Sequence, residues 1–393
     1  MTPLAISAFS LTTALGAGNV QTLEALRGQR SGLVNERFLD ADLPGWIGTV
    51  SDADAVRLPA GLEEFDCRNN RLAWLGLQHD GLLDTIARAR RRWGSARVAL
   101  VLGTSTSGQL QTELAYRRRA PDGSLPADFH YAQTQNTYSL ASFVATALSL
   151  AGPALVVSTA CSSSAKVFAS AARLIATGMT DAALVGGVDS LCLTTLYGFN
   201  SLELLAQDIC RPWDAHRHGL SLGEGAGFAL LERDCAQPLG WLLGTGESSD
   251  GHHMSSPHPQ GLGAMQAMRA ALADAGCTAA DIDYINLHGT ATPNNDSAED
   301  CAVNTVFGGA TPCSSTKGAT GHTLGAAGAV EAAISLLALQ HGLMPAGLNL
   351  VTPDPVLKAH YLRENRPASL RRVLSNSFGF GGSNACLVLG AAT

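Results

Sequence analysis

Residues 157–178 read VSTACSSSAKVFASAARLIATG, and this stretch decides the fold. It begins at the end of a short apolar run, ALVV, passes through a Ser/Thr-rich turn and continues into a segment dominated by Ala and Ser. This order predicts a strand that leads directly into a helix. Residues 313–342, CSSTKGATGHTLGAAGAVEAAISLLALQHG, repeat the order of turn and small-residue helix. The two stretches together indicate a degenerate internal duplication.

Further short apolar runs end in Gly/Ser/Thr-rich turns, and helical patterns often follow them. They include residues 97–102 (RVALVL) and 182–185 (AALV). This alternation predicts an α/β architecture. A strand-like run, GFALLE, gives way to Pro and polar residues at 234–239 (DCAQPL). We therefore divide the chain into an N-terminal half, residues 1–236, and a C-terminal half, residues 237–393.

The amino-acid composition excludes several classes of function. The chain has 393 residues, 46% of them hydrophobic, a net charge of −7 and only 15% charged residues. A large buried core is expected, whereas the basic stripe of a nucleic-acid binder is not. The nine cysteines include no C-x-x-C pair, which argues against a disulfide framework or a zinc site and favours a reducing, cytoplasmic location. The apolar N-terminus lacks a basic n-region, and we find no run that approaches the ~18 apolar residues of a membrane helix, so no export or membrane insertion is predicted.

Cys161 is the first candidate for chemistry. It follows the apolar run and precedes the small-residue helix. A thiol at a helix N-terminus faces partial positive charge, which lowers its pKa and favours the nucleophilic thiolate. Taken alone, Cys161 fits a small buried core residue equally well.

Two histidines lie in similar surroundings. His288, in INLHGTATPNND, follows an apolar run, and His322 lies in a glycine-rich turn that opens a helix. A single histidine in such a turn is more often structural, but two of them beside a strand-end cysteine indicate a site. Near the C-terminus, SNSFGFGGSN places Phe378 and Phe380 between glycines. Those glycines let the backbone approach a ligand closely, although a hairpin turn that serves only the fold is the alternative.

Five motifs, in this order, resemble the elongating, Cys-His-His class of β-ketoacyl-[acyl-carrier-protein] synthases of type II fatty-acid and polyketide synthesis. They are TACSSS (159–164), RPWDAHRHGLSLGEGAG (211–227), HGTATPNND (288–296), KGATGHTLGAAGAVE (317–331) and NSFGFGGSN (376–384). The resemblance implies the α/β thiolase fold, with duplicated halves in a five-layered αβαβα arrangement, usually as a dimer.

The resemblance also implies roles for individual residues. Cys161 is the acyl acceptor, and His288 and His322 complete the triad. Lys317 and Glu331 match a supporting charged pair, and the backbone N–H groups of Cys161 and Phe380 match an oxyanion hole. The positions that match contacts to the phosphopantetheine arm or the acyl group are Thr290, Thr292, Phe378 and Phe380. Phe380 also matches the residue that gates the acyl pocket.

The implied reaction is a decarboxylative Claisen condensation of an acyl thioester on Cys161 with a malonyl thioester. Both substrates arrive on the 4′-phosphopantetheine of acyl carrier protein, and neither a metal nor another cofactor is implied. Neutral imidazoles that donate from Nε2 stabilise the enolate without protonating it. The second histidine, His322, distinguishes this class from the Cys-His-Asn initiating synthases and from thiolases, which use a second cysteine.

The sequence also departs from the family pattern. Where members commonly read R-D-G-F, residues 217–220 read RHGL, which leaves the contacts of that loop open. Thr104 and Thr106 lie where members floor the acyl pocket across the dimer interface, and their small hydroxyl side chains predict a longer or more polar tunnel. We therefore hypothesise an unsaturated or aryl-primed substrate of the aryl-polyene type. Carrier protein is acidic, so Arg68 and Arg71 are candidate docking residues, with an ordinary helix face as the alternative.

The sequence leaves three alternatives to a homodimeric synthase. In the first, the chain is the catalytic subunit of a heterodimer with a chain-length-factor homologue, and co-purification with that subunit would distinguish it from a homodimer. A non-catalytic thiolase-fold scaffold that binds carrier protein is disfavoured because Cys161, His288, His322 and Lys317 are all present. A serine hydrolase is disfavoured because the sequence has no G-x-S-x-G motif.

Overall fold

The structure is a computed structural model that describes residues 1–43 and 45–392. The strands are β1 (Leu4–Thr13), β2 (Gly16–Ala17), β3 (Val98–Gly103), β4 (Ala154–Val157), β5 (Ala182–Asp189), β6 (Gly225–Glu232), β7 (Gly240–Ser249), β8 (Tyr284–Asn286), β9 (Cys313–Ser314), β10 (Leu343–Met344), β11 (Arg366–Pro367), β12 (Arg372–Gly379) and β13 (Ser383–Ala391). The helices are α1 (Asn19–Arg27), α2 (Arg68–Leu77), α3 (Leu82–Trp93), α4 (Gln109–Arg117), α5 (Ser139–Leu148), α6 (Ser163–Ala176), α7 (Leu193–Ser201), α8 (Leu262–Asp274), α9 (Pro293–Phe307), α10 (Lys317–Thr320) and α11 (Ala327–His341).

The sheet topology repeats. The strands are ordered β4-β3-β5-β6-β1-β7-β13-β12-β8-β9, with β2 beside β1 and with β10 and β11 paired separately. In the first half, β3 runs parallel to β4 and β5, and β6 is antiparallel to β5 and β1. In the second half, β8 runs parallel to β9 and β12, and β13 is antiparallel to β12 and β7. When β2, β10 and β11 are left out and the strands of each half are numbered in chain order, both halves read 3-2-4-5-1 from the outer edge of the sheet inwards, which is the predicted duplication.

The two halves form five layers. Helices α6 and α11 pack against each other and contact strands of both halves, so they form the middle layer. Helices α2, α3 and α5 cover the outer face of the first half, and α8 and α9 cover that of the second. Small residues allow this packing, because a Cβ added at Gly328 of α11 would lie 2.5 Å from the backbone nitrogen of Ala165 in α6. The predicted thiolase architecture is confirmed.

The short apolar runs of the sequence form strands at the predicted places. The run at 182–185 continues to Asp189, and β4 has the predicted bounds. However, β4 lies at the edge of the sheet and is partly exposed, with Leu155 42% accessible. The predicted boundary after residue 236 lies in the connection between β6 and β7.

One segment reaches the length of a membrane span, contrary to the expectation from the sequence. The 18 residues Leu324–His341 have a mean hydropathy of 1.3, but 89% of them are buried inside the protein. This segment includes α11, the middle-layer helix, and its interior carries the charged residue Glu331. Its apolar composition therefore reflects packing within the core.

Candidate active site

A tight turn between β4 and α6 presents Cys161. Ala160, the residue before it, has a φ of 52°, in the left-handed region that a non-glycine residue seldom occupies. The serines of the motif hold this turn: Ser162 Oγ donates to the carbonyl of Thr159 (2.9 Å), and Ser163 Oγ donates to that of Ala160 (2.5 Å). The serine-rich sequence therefore serves to aim the sulfur, which is buried, just before the first turn of α6.

The glycine-rich end of β12 lies against this turn. A Cβ added at Gly379 would lie 2.8 Å from the carbonyl oxygen of Thr159 and 3.2 Å from the nitrogen of Cys161. Glycine therefore lets the two backbones approach. The backbone N–H of Phe380 is close enough to Cys161 Sγ to lower the pKa of that thiol against the effect of burial. This places a backbone donor beside the nucleophile, as an oxyanion hole needs.

His288 follows β8, and a buried carboxylate holds its backbone. Glu299 of α9 accepts hydrogen bonds from the backbone N–H groups of His288 (2.8 Å) and Gly289 (2.7 Å). Asn376 Nδ2 donates to the same carboxylate at 2.9 Å. Burial raises the pKa of Glu299 to about 7, while these hydrogen bonds oppose the shift. The carboxylate of Glu299 in α9 thus fixes the turn that follows β8.

His322 is held by a short β-bridge to the segment that precedes β6. Its backbone N–H donates to the carbonyl of Ser221 (2.8 Å), and its carbonyl accepts from Gly223 (3.0 Å). These bonds position the ring so that Nε2 lies 3.0 Å from Cys161 Sγ. The rings of His288 and His322 meet edge to face, with centroids 5.3 Å apart. The predicted triad of Cys161, His288 and His322 is therefore assembled.

Lys317 lies behind the histidines and is 1% exposed. Its Nζ donates to the backbone carbonyl of His288 (2.5 Å), to His288 Nδ1 (3.3 Å) and to Glu331 Oε1. The predicted charged pair of Lys317 and Glu331 is thus a buried ion pair in contact with a catalytic ring. Burial raises the pKa of Glu331 to about 7, and the ammonium of Lys317 opposes the shift.

The hydrogen bonds fix which nitrogen of each ring carries the proton. An ammonium can only donate, so His288 Nδ1 accepts from Lys317 and the proton lies on Nε2. The backbone N–H of Leu324 donates to His322 Nδ1 at 3.3 Å, which places the proton of His322 on Nε2 as well. Both imidazoles therefore present an Nε2–H donor to the space around Cys161.

Electrostatics keep both rings neutral. Burial lowers the pKa of His288 and of His322 well below 6.5, and the positive charge of Lys317 adds to both shifts. For Cys161 the prediction of a lowered pKa is wrong, because burial raises it to about 12 against the opposing effects of Lys317 and the Phe380 N–H. Desolvation of the thiolate outweighs the partial charge of the helix N-terminus.

These three side chains also form the group that most resembles a metal site. Their ligand atoms lie within 4.8 Å of one another, and a thiolate with two imidazoles suits zinc. However, each Nε2 carries a proton and has no free lone pair, and the Lys317 ammonium opposes a second cation nearby. The donor set is thus better suited to binding an oxyanion than a metal ion.

A cavity of about 270 Å³ opens above the triad. Thr290 and Thr292 line it, and their hydroxyls hydrogen-bond to each other at 2.9 Å. Phe378 packs against the His288 ring, while Phe380 packs against Phe199 of α7, with ring centroids 5.6 Å apart. The residues predicted to contact the phosphopantetheine arm or the acyl group thus line one cavity. Its other walls include Leu202, Leu204, Leu220, Asn294 and Asn295.

The prediction that Thr104 and Thr106 floor the acyl pocket across the dimer interface stays a prediction, because it concerns the contact with a second subunit. Their hydroxyls donate to Asp189 Oδ1 at 2.7 and 2.8 Å, and neither is among the described residues that line the cavity. Asp189 Oδ2 also accepts from the backbone N–H of Gly325, close to the catalytic His322. Within their own subunit the two threonines thus anchor a buried carboxylate. The hypothesis of an aryl-primed or unsaturated chain likewise stays a prediction.

The prediction that Arg68 contacts carrier protein is also wrong. Its guanidinium is buried between Glu224, with a nitrogen to oxygen distance of 2.6 Å, and Asp54, at 2.5 Å. Arg71 is 29% exposed and forms a bidentate ion pair with Asp66. Contact with an acidic partner through Arg71 stays a prediction, but the charge of this arginine is already balanced.

The sequence patterns did not indicate three residues that support the site. Asp189 stands at the end of a buried strand, and that position was the one available signal for it. Glu299 is an acidic residue inside α9, where nothing in the sequence separates it from a solvent-exposed one. Phe199 lies in α7, outside the matched motifs, and its contact with Phe380 depends on tertiary packing.

We expect Lys317→Met to lower the free energy of unfolding by about 3–5 kcal/mol, because it leaves the Glu331 carboxylate buried without its partner. The loss should be largest near pH 8 and shrink towards pH 5. A carboxyl whose pKa is raised in the folded state loses stability as the pH rises, and protonation removes the unpaired charge. Urea unfolding at both pH values measures the effect.

The matched control is the double variant Lys317→Met/Glu331→Leu, which removes both charges. It should recover most of the lost stability, because an apolar pair carries no desolvation cost. A single variant as stable as the wild type at pH 8 would contradict the buried ion pair.

Comparison with known proteins places the chain in a family. Residues 68–236 match the model for "Beta-ketoacyl synthase, N-terminal domain", and residues 239–351 match "Beta-ketoacyl synthase, C-terminal domain". The chain is 33% identical over 390 residues to 3-oxoacyl-[acyl-carrier-protein] synthase 2 of Vibrio harveyi, covering 93% of this chain and 92% of that one. It is 40% identical over 258 residues to the mitochondrial 3-oxoacyl-[acyl-carrier-protein] synthase of Arabidopsis thaliana, covering 60% of this chain and 56% of that protein.

A solved structure shows the same architecture along the whole chain. It is titled as the ketosynthase ApeO in complex with its chain length factor ApeC, from Xenorhabdus doucetiae. The identity is 38% and the TM-score 0.90, and the match covers 99% of this chain and 98% of that one. Together with the assembled triad, these matches show that the chain belongs to the β-ketoacyl synthase family.

Proposed function

We propose that this protein is a β-ketoacyl-[acyl-carrier-protein] synthase, an acyltransferase that condenses an acyl group on Cys161 with a malonyl group on carrier protein. The observation that carries the proposal is the pair of neutral Nε2–H donors of His288 and His322 beside a buried thiol. The relatives named for this activity, in bacteria and in a plant, support the choice of substrate carrier.

The first half-reaction transfers an acyl group to the sulfur. Cys161 Sγ attacks the carbonyl carbon of the acyl thioester, and the N–H groups of Cys161 and Phe380 stabilise the oxyanion. When the tetrahedral intermediate collapses, the bond to the carrier thiol breaks and that thiol leaves with the proton of Cys161. The Lys317 charge and the Phe380 N–H both favour the thiolate, which offsets part of the desolvation that raises the cysteine pKa.

The second half-reaction forms the carbon–carbon bond. The thioester oxygen of the malonyl group accepts hydrogen bonds from Nε2–H of His288 and His322. The bond to its carboxylate breaks, carbon dioxide leaves and the electron pair forms an enolate. The enolate carbon attacks the acyl carbonyl, and the bond to Cys161 breaks to release the thiolate, which takes up a proton from water. Since both histidines are neutral, they stabilise the enolate without protonating its carbon.

Neither half-reaction requires a cofactor bound to this protein. Bonds and electrons balance with the acyl and malonyl thioesters and one proton taken up from water, so we propose that the 4′-phosphopantetheine of the carrier is the one prosthetic group involved. Thr290 and Thr292 line the cavity and offer their hydroxyls to that arm. The free thiols of the nine cysteines support a reducing, cytoplasmic location.

We expect wild-type protein mixed with acyl-carrier protein to gain the mass of one acyl group, and Cys161→Ala to gain none. Malonyl-carrier protein added afterwards should discharge the adduct as a β-ketoacyl product two carbons longer than the primer. Intact-mass spectrometry follows both steps. Cys235→Ala, which removes a partly exposed cysteine instead of the buried Cys161, is the matched control and should behave as the wild type.

An adduct that persists in Cys161→Ala would contradict the assignment of the nucleophile. No adduct from a panel of acyl chains, with the partner subunit described below also present, would contradict the proposed activity and favour the non-catalytic scaffold.

The edge of the sheet indicates that the protein works with a partner subunit. One side of β4 pairs with β3, and its other side meets no strand in the described part of the chain. Leu155 of β4 and the adjacent Tyr138 are 42% and 48% exposed, and β4 carries no charged residue that would protect the edge. An open apolar strand edge favours association. We propose that a thiolase-fold subunit covers it, either a second copy of this chain or a chain-length-factor homologue, as in the ApeO–ApeC complex.

We expect Leu155→Arg to abolish this dimer, because it buries a charge at the strand edge. Size-exclusion chromatography with light scattering measures the mass of the protein alone and co-expressed with a chain-length-factor homologue. A dimer formed alone favours the homodimer, and a dimer formed only on co-expression favours the heterodimer. Val356→Arg, at an apolar residue that is 73% exposed outside β4, is the control and should leave the dimer intact. A dimer that survives Leu155→Arg would contradict the assigned surface.

A further inference from the structure

The cavity above Cys161 is small for the substrate groups that the proposed function requires it to hold. Ligand pockets usually measure about 300–1,000 Å³, whereas this one measures about 270 Å³. In the condensation step it must hold an acyl group and a malonyl group on its pantetheine arm at the same time. A long or bulky acyl tail therefore needs additional space within the protein or across the partner surface.

A second, smaller cavity lies directly behind one wall of the first. It measures about 20 Å³, roughly the room for one water molecule. Aliphatic and aromatic side chains surround it, and Leu220 lines both cavities. The residues of this annex that matter below are Phe38, Trp46, Ile47, Leu196, Leu205 and Leu222.

The backbone of Leu220 is fixed, whereas its side chain forms a thin partition. Its N–H donates to the carbonyl of Leu204 (2.8 Å), and its carbonyl accepts from the N–H of Ala206 (2.9 Å). The same segment continues to Leu222, which bridges to the catalytic His322. A phenylalanine ring in place of the Leu220 side chain would occupy more of this partition.

We propose that Leu220 is a specificity-determining residue, and that the annex behind it receives the apolar end of the acyl group on Cys161 when the Leu220 side chain rotates aside. The proposal rests on the proposed function and deepens it by naming a substrate class. The favoured acyl groups end in a flat aryl or unsaturated apolar unit.

The chemistry of the annex sets this class. Among the residues described on its lining, Glu36 is the one with a charged side chain, and Phe38 and Trp46 contribute aromatic surface. A polar or charged tail would lose its hydration there without gaining hydrogen bonds, which costs free energy. An aromatic tail gains contact with these rings.

The test compares two substrates of equal chain length, hexanoyl- and 6-phenylhexanoyl-carrier protein, by their rates of Cys161 acylation. We expect Leu220→Ala to raise the phenyl-to-hexanoyl rate ratio by about tenfold or more, and Leu220→Phe to lower it similarly, the range expected when a hydrophobic pocket gains or loses a group. Leu205→Phe should also lower the ratio, because Leu205 is among the described residues of the annex and not among those of the active-site cavity.

Leu239→Ala is the matched control, since Leu239 is 39% exposed in the connection between β6 and β7 and is not among the described residues of either cavity. It should leave the ratio within about twofold of the wild type, as expected for an uncoupled site. If both Leu220 variants and Leu205→Phe leave the ratio unchanged, or if Leu239→Ala shifts it as much as Leu220→Ala, the proposal is overturned.

A second measurement separates this proposal from the catalytic one. Leu220→Ala should merge the two cavities and bind benzene, as enlarged apolar cavities do. Benzene density beside residue 220 in a crystal, with a benzene-dependent rise in melting temperature, supports the annex even if no acyl adduct forms on any variant. No benzene at that place in folded Leu220→Ala protein overturns the annex.

Discussion

The buried ammonium of Lys317 is the interaction on which the rest of the site depends. It contacts the backbone and ring of His288 after β8, and it pairs with Glu331 in α11, the middle-layer helix. A charge that is 1% exposed is unfavourable unless it is paired and hydrogen-bonded. Its partners therefore have to be in place for the protein to fold, and this requirement positions the catalytic ring.

The same charge sets the electrostatics of the chemistry. It lowers the pKa of both histidines and opposes the rise that burial causes in the pKa of Cys161. One residue thus favours neutral imidazoles and a thiolate at the same time. Both are needed, because an imidazolium would protonate the enolate and a thiol is a weak nucleophile. Lys317 reaches no substrate in this arrangement, so it acts through the residues that do.

Local sequence patterns predicted much of the fold and the centre of the site. The strand end, turn and helix around Cys161 are encoded within residues 157–178. The duplication was predicted because residues 313–342 repeat the same order of turn and helix in the second half. The ordered motifs then identified His288 and His322. These features depend on short-range geometry and on residue types that few other sites combine.

The wrong predictions share a physical cause, which is long-range pairing. Arg68 has the sequence context of an exposed helix residue, but its partner Glu224 lies 156 positions away. Likewise, the pKa of Cys161 depends on burial by the whole fold, which outweighs the local helix terminus. Sequence patterns report neighbours along the chain, and these two outcomes depend on neighbours in space.

The measurement that most directly tests this account is nitrogen-15 NMR of the histidine side chains, recorded between about pH 6 and pH 8, where an ordinary histidine titrates. The chain has 11 histidines, and the variants His288→Gln and His322→Gln identify the two signals that matter. We expect both rings to stay neutral across this range, with the proton on Nε2. A ring that titrates near its ordinary pKa of about 6.5, or one that carries its proton on Nδ1, would contradict it.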